Sequence, residues 1–411
     1  MLLDSNRPKI LAVGASLVAP LCSFAVLPFT TKYLSTDQYG TISSIQVFLN
    51  YLLCLVGFCA PAYFTREYYQ TKNINRLTSC VFITFLCSLL FIGLLVFIFN
   101  FQLQALFDVV PEYLFIAILI SALLSFINFN LLYLRLSDSY ITFSILTIIQ
   151  PITFLILYLI FLKFDYGVYA FINANLLTAF LFFGICLRIF FKKNLLKIKF
   201  DFSELKNSLN YGLRLLPHSF FGVLAVSIDK LIVLKLLSLT TLGIYTLAFS
   251  IASVVKVFEG AIYSVYQPWL FKNLSGSPKN VKKIIRISLL YITSILVFSI
   301  FLNISIYIIF PNIIDSKFSS SLDLIPYFIV GYFINSLYTI NNQILLFYKK
   351  TSTISLISGL SVITGFILAY FLITKFGLSG SMYAFIFVCS IRLLLTFIVT
   401  LNFSFKNKLL V

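Results

Sequence analysis

Six ionisable side chains, Arg214, Asp229, Lys230, Lys256, Glu259 and Arg392, and the one histidine, His218, stand in stretches otherwise built largely from Leu, Ile, Val and Phe. An Arg, Lys or Asp at the centre of a membrane helix costs roughly 2.5–3.5 kcal/mol on insertion scales, so several together imply a task. Arg214 and His218 are four apart, Lys256 and Glu259 three apart, and on a helix each pair shares a face. Arg214, Lys230, Lys256 and Arg392 against Asp229 and Glu259 leave an excess of two positive charges, which suits an anion. A guanidinium can fork onto phosphate oxygens in low dielectric, so these four cations are the candidate sites for a pyrophosphate or anionic sugar. Glu259 is pushed toward neutrality by desolvation and toward charge by Lys256. Its ionisation can therefore follow occupancy of that lysine, with Asp229 and His218 as further ion-coupling groups.

The elements that must position these groups are membrane helices. The 411 residues are 60% hydrophobic and 10% charged, with 47 Phe, and mean hydropathy is +1.03. Soluble domains do not have that balance. Apolar stretches long enough for about 30 Å of hydrocarbon recur throughout. We read twelve spans, at about 10–31, 41–63, 79–101, 113–134, 141–162, 167–187, 209–234, 242–268, 287–310, 324–347, 353–374 and 378–403. Counting about 1.5 Å per residue from the inner end of a straight span puts Arg214 at roughly 8 Å, His218 and Glu259 at roughly 14 Å, Arg392 at roughly 16 Å and Lys256 at roughly 18 Å. The last four share one layer near mid-membrane, and Pro217 is expected to kink the seventh span beside it.

Of the 30 Lys and Arg, 21 fall at the two termini and in even-numbered connections, five in odd-numbered ones and four inside spans. The positive-inside bias places both termini in the cytoplasm. The basic stretches Lys192 to Lys206 and Lys272 to Arg286 suit anionic headgroups, so the net charge of +17 points to membrane lipid and not to nucleic acid. The seven cysteines fall inside or at the ends of spans and read as packing residues, with no metal site or cofactor implied.

The longest connection divides the chain into an N-terminal six-helix bundle, 1–190, a cytoplasmic linker, 191–208, and a C-terminal six-helix bundle, 209–411. The halves resemble one another. "KYLSTDQYG" at 32–40 matches "KLLSLTTLG" at 235–243, the stretch from Pro111 to Arg135 matches Pro326 to Lys349, and "YAF" recurs at 169 and 383 after "KF" at 163 and 375. An even number of spans per half gives parallel repeats. The expected fold is all-α and integral to the membrane, with twelve helices in two bundles related by pseudo-two-fold symmetry about a central cavity.

"YGLRLLPHS" at 211–219, the acidic-basic pair Asp229 and Lys230, "LGIYTLA" at 242–248, Pro268 and the N-terminal "KYLSTDQYGTIS" together resemble the Wzx-type O-antigen and polysaccharide-unit flippases of the multidrug/oligosaccharidyl-lipid/polysaccharide exporter superfamily. Arg214 stands where that family usually has Pro. The resemblance implies a non-enzymatic carrier that moves an undecaprenyl-pyrophosphate-linked oligosaccharide from the inner to the outer leaflet of a bacterial inner membrane by ion-coupled alternating access, with a polysaccharide polymerase and a chain-length regulator as further partners. The alternative on the same fold is a cation-coupled multidrug or small-molecule antiporter. A drug-cation exporter needs the opposite sign of charge and usually an acid deep in the N-terminal half, where Asp4 lies outside the membrane. A membrane glycosyltransferase or polymerase needs a large outer loop with catalytic groups, and the sequence offers none.

Overall fold

The computed structural model describes residues 7–69, 73–193, 195, 201–275, 281–348 and 350–406. Asp4, Lys349, part of the expected 191–208 linker and parts of both basic stretches, including Lys197, Lys199 and Lys279, lie outside the described residues. Among those described, the chain is almost wholly helical and has no strand. In hydrocarbon a helix satisfies every backbone N–H and C=O within its own segment, so an apolar chain of this kind is confined to that choice.

Two compact units divide the chain after Ser227. The first holds α1 (Arg7–Ala15), α2 (Val18–Ala25), α3 (Leu27–Tyr33), α4 (Thr36–Leu55), α5 (Ala60–Glu67), α6 (Ile74–Ile98), α7 (Asn100–Phe107), α8 (Pro111–Leu136), α9 (Tyr140–Lys163), α10 (Val168–Lys192) and the larger part of α11 (Phe202–Leu236). The second holds the end of α11, α12 (Leu239–Ala252), α13 (Val254–Ser275), α14 (Val281–Ile313), a 3-10 turn at Ser316–Ser321, α15 (Ile325–Phe347), α16 (Thr351–Phe376) and α17 (Leu378–Lys406).

The twelve spans read from the sequence fall on helical segments, but α11 and α15, at the seventh and tenth, are not among the described helices apolar enough to cross a bilayer. Among the described residues, nine helices are long and apolar enough to cross a bilayer, or ten when α4 and α5, bent by 45° about Val56–Cys59, count as one span. The first span is assembled from α1 to α3, and the eighth comprises α12 and α13, with their boundary at Ser253. At 35 residues α11 is about 52 Å long, more than hydrocarbon requires, so its first turns have length to reach beyond the membrane.

The internal matches have structural counterparts. Ser35 caps α4, accepting from the Gln38 N–H, and Ser238 caps α12, accepting from the Thr241 N–H. Pro111 and Pro326 both occupy first-turn positions, of α8 and α15, where a missing N–H costs nothing. Gly167 and Gly377 precede α10 and α17 at φ +55°, ψ −128° and φ +58°, ψ −138°, a region favouring glycine. Tyr113 meets Tyr169 edge to face at 5.3 Å, and Tyr327 meets Tyr383 at 6.1 Å.

Each unit packs around interlocked rings. Phe82, Phe126, Phe129 and Phe190 gather α6, α8 and α10. Tyr245, Phe249, Phe328, Tyr332 and Phe385 gather α12, α15 and α17. Lipid tails are as apolar as these side chains, so helix association here rests on van der Waals fit and ring geometry, about 0.5–1.5 kcal/mol per aromatic pair beyond area burial. Leu86, Leu90, Phe97 and Phe101 stand exposed on the outside, as a lipid-facing surface requires.

Candidate functional site

The intramembrane charges of the second unit fall into three local environments. On α11, Asp229 accepts the Tyr245 hydroxyl through Oδ2, and its Oδ1 accepts the Lys230 backbone N–H at 2.9 Å. The Lys230 ammonium lies 4.8 Å over the Phe249 ring, within electrostatic range of both Asp229 and Lys256. On α13, Glu259 is buried and accepts the Tyr291 hydroxyl of α14 at 3.3 Å. Below it the Gln267 amide donates to Gln343 of α15 at 2.9 Å, and the Tyr263 hydroxyl is within hydrogen-bonding reach of both amides. On α17, the Arg392 guanidinium sits 5.3 Å over the Tyr338 ring, with its Nε buried and lacking an acceptor among the described residues.

The expected face-sharing of Lys256 and Glu259 does not become an ion pair. Lys256 points to an exposed position while Glu259 turns inward to Tyr291. Among the described residues neither Asp229 nor Glu259 makes a salt bridge; each takes a tyrosine hydroxyl. A neutral tyrosine hydroxyl is thus the side-chain donor to each carboxylate, in place of a cation. Arg214 and His218 belong to the first unit and are both exposed.

The first unit holds a feature that a count of intramembrane charge passes over. Tyr63, Arg66 and Glu67 of α5 and Asn207, Asn210, Tyr211 and Arg214 of α11 line a cavity of about 610 Å³. Asn207, Asn210, Tyr211 and Arg214 follow an i, i+3, i+4, i+7 spacing, the one sequence signal that α11 turns a polar face here. The Arg66 guanidinium lies 5.5 Å from the Tyr211 ring centre, with Nε 3.5 Å from Glu67. Gly212 permits the approach of α11: a methyl group there would collide with the Phe58 carbonyl in the α4–α5 bend. Next to the cavity, Tyr63 donates to Glu204 at 2.7 Å, and Arg76 of α6 pairs with Asp201 and, at 3.5 Å, with Glu204. Asp201 caps α11 by accepting the Ser203 and Glu204 N–H groups at 2.9 and 3.1 Å.

Comparison with known proteins gives this arrangement its relatives. The chain is 22% identical over 371 residues to the Lsg locus putative protein 1 of Haemophilus influenzae, covering 87% of this chain and 88% of that protein. Its fold is shared with the lipid II flippase MurJ in an inward closed conformation, with TM-score 0.69, 15% identity and coverage of 98% of this chain and 87% of that one. An inward-facing multidrug resistance MATE family transporter of the MOP superfamily matches at TM-score 0.71 and 12% identity, over 98% and 99% of the two chains. Residues 31–310 match a family model described as polysaccharide biosynthesis protein, and the chain belongs to that family of multi-pass membrane proteins.

Proposed function

We propose that this protein is a flippase that carries undecaprenyl-pyrophosphate-linked O-antigen or related polysaccharide repeat units from the cytoplasmic to the periplasmic leaflet of a bacterial inner membrane by ion-coupled alternating access. The supporting observation is the pairing of the two intramembrane carboxylates, Asp229 and Glu259, with tyrosine hydroxyls, which leaves Lys230, Lys256 and Arg392 unneutralised by direct ion pairs among the described residues. Positive charge kept in apolar helices calls for an anionic cargo, and a diphosphate meets that demand. Membership of a polysaccharide biosynthesis family and a fold shared with a lipid II flippase agree with it. The multidrug transporters share the fold equally well. The sign of the retained charge favours the diphosphate over a drug cation. In this reading the bundles 1–190 and 209–411, joined by 191–208, alternate about the cargo. Lys230, Lys256, Arg214 and Arg392 hold the diphosphate or anionic sugars, while Glu259, Asp229 and His218 carry the coupling ion.

Arg392 tests the reading most directly. Arg392→Ala should abolish surface polysaccharide, and Arg392→Lys should retain part of it, because charge survives while the planar fork does not. Normal surface polysaccharide from a well-expressed Arg392→Ala would refute the diphosphate role.

A further inference from the structure

We propose that the cavity between α5 and α11 binds the phosphate-bearing headgroup of a membrane amphiphile between Arg66 and Arg214. Two guanidiniums on different helices converge on one space of about 610 Å³, a volume within the range of small-ligand sites. Arg214 has no acidic partner among the described residues. The one carboxylate lining the space, Glu67, is already beside the Arg66 Nε, so the wall keeps one positive charge in excess. The Tyr211 ring under the Arg66 guanidinium, a cation–π contact at 5.5 Å, helps hold that charge at the cavity wall. Asn207 and Asn210 are exposed about two helical turns and one helical turn before Arg214, and their amides offer both donors and acceptors to a hydroxylated group next to the phosphate.

The chemistry is a phosphate ester with polar substituents, carried at the membrane boundary. Two molecules supply it: the diphosphate-linked cargo of the preceding proposal, on which the first choice of probe rests, and an anionic phospholipid of the surrounding leaflet. Purified full-length protein is titrated with undecaprenyl diphosphate and, separately, with phosphatidylglycerol, and bound lipid is read by native mass spectrometry.

Arg66→Ala and Arg214→Ala should each weaken binding by about tenfold or more, the scale of a lost charge-assisted hydrogen bond. Arg66→Lys should retain an intermediate affinity. Asn210→Asp places a negative charge at an exposed position with little threat to folding, and should weaken binding as strongly as loss of an arginine. If only undecaprenyl diphosphate responds, the site takes the cargo. If only phosphatidylglycerol responds, it takes leaflet lipid, and the site stands even where the cargo reading fails. Unchanged binding of both lipids in Asn210→Asp and in the folded arginine variants overturns the site, while failure of the wild type to bind undecaprenyl diphosphate counts against the cargo reading alone.

Discussion

Glu259 is buried in a helix wall with one hydroxyl donor, and its nearest cation in sequence, Lys256, points elsewhere. A carboxyl so placed is either a structural acceptor for Tyr291 or a site that takes and releases a proton, and two substitutions separate these roles. Glu259→Gln keeps an acceptor for Tyr291 and removes the titration. In proteoliposomes it should bind lipid-linked cargo yet lose the response of transport to an imposed pH gradient; unchanged gradient dependence moves coupling to Asp229. Tyr291→Phe leaves the carboxyl without its donor, at a cost of about 1–3 kcal/mol, and should lower the melting temperature more than Glu259→Gln does. The sequence located these charges because they interrupt apolar runs. Their partners were not legible, since Tyr245 is 16 residues from Asp229 and Tyr291 is 32 residues from Glu259, and a tyrosine in a Phe- and Leu-rich helix carries no mark of what it donates to.

At the scale of elements, α11 is held to the first unit at two points. Gly212 seats it against the α4–α5 bend, and Gly212→Ala should cost roughly 1–3 kcal/mol by overpacking against a backbone carbonyl that has no rotamer to yield. The second point is the clamp of Arg76 on Asp201 and Glu204. The Ser203 hydroxyl first, then the Glu204 N–H and the Arg76 guanidinium, hold the Asp201 carboxyl below the ordinary carboxylate range. A lowered folded pKa adds stability that is present above the unfolded value, about 3.9, and is lost as pH falls through the lowered one. Asp201→Asn keeps the helix cap and deletes the charge. It should speed hydrogen exchange in the first turn of α11 at pH 7, with the difference from wild type closing below about pH 4. The bends themselves could not be read from the sequence. In a span apolar on every side, helical periodicity has no contrast, and the lone Ser253 and Gly57 at the two breaks are of residue types that also sit inside unbroken helix, as Ser88 and Gly93 do in α6.

Across the whole molecule the duplication was legible from short matches in shared order, and two of them mark positions with a backbone duty in both halves, the serine caps Ser35 and Ser238 and the first-turn prolines Pro111 and Pro326; Gly167 and Gly377, at positive φ, are a parallel that the structure adds. Those duties persist where packing residues drift among Leu, Ile and Phe. Orientation rests on a different signal, the 21 Lys and Arg at the two termini and in even-numbered connections against five in odd-numbered ones. From that bias Lys193, at the end of α10, is expected inside and Lys317, in the 3-10 turn Ser316–Ser321, outside. Both sites tolerate a probe for physical reasons: Lys193 is exposed beside the Tyr133 ring, and the Lys317 side chain is 39% exposed, its 3.9 Å pairing to Asp315 lying at the surface. With the seven native cysteines replaced, Lys317→Cys should react with a membrane-impermeant maleimide in intact cells, and Lys193→Cys only after the inner membrane is opened. The reverse pattern would turn the α5–α11 cavity to the outer leaflet, where Arg66 and Arg214 would meet the headgroup of a delivered cargo instead of an arriving one.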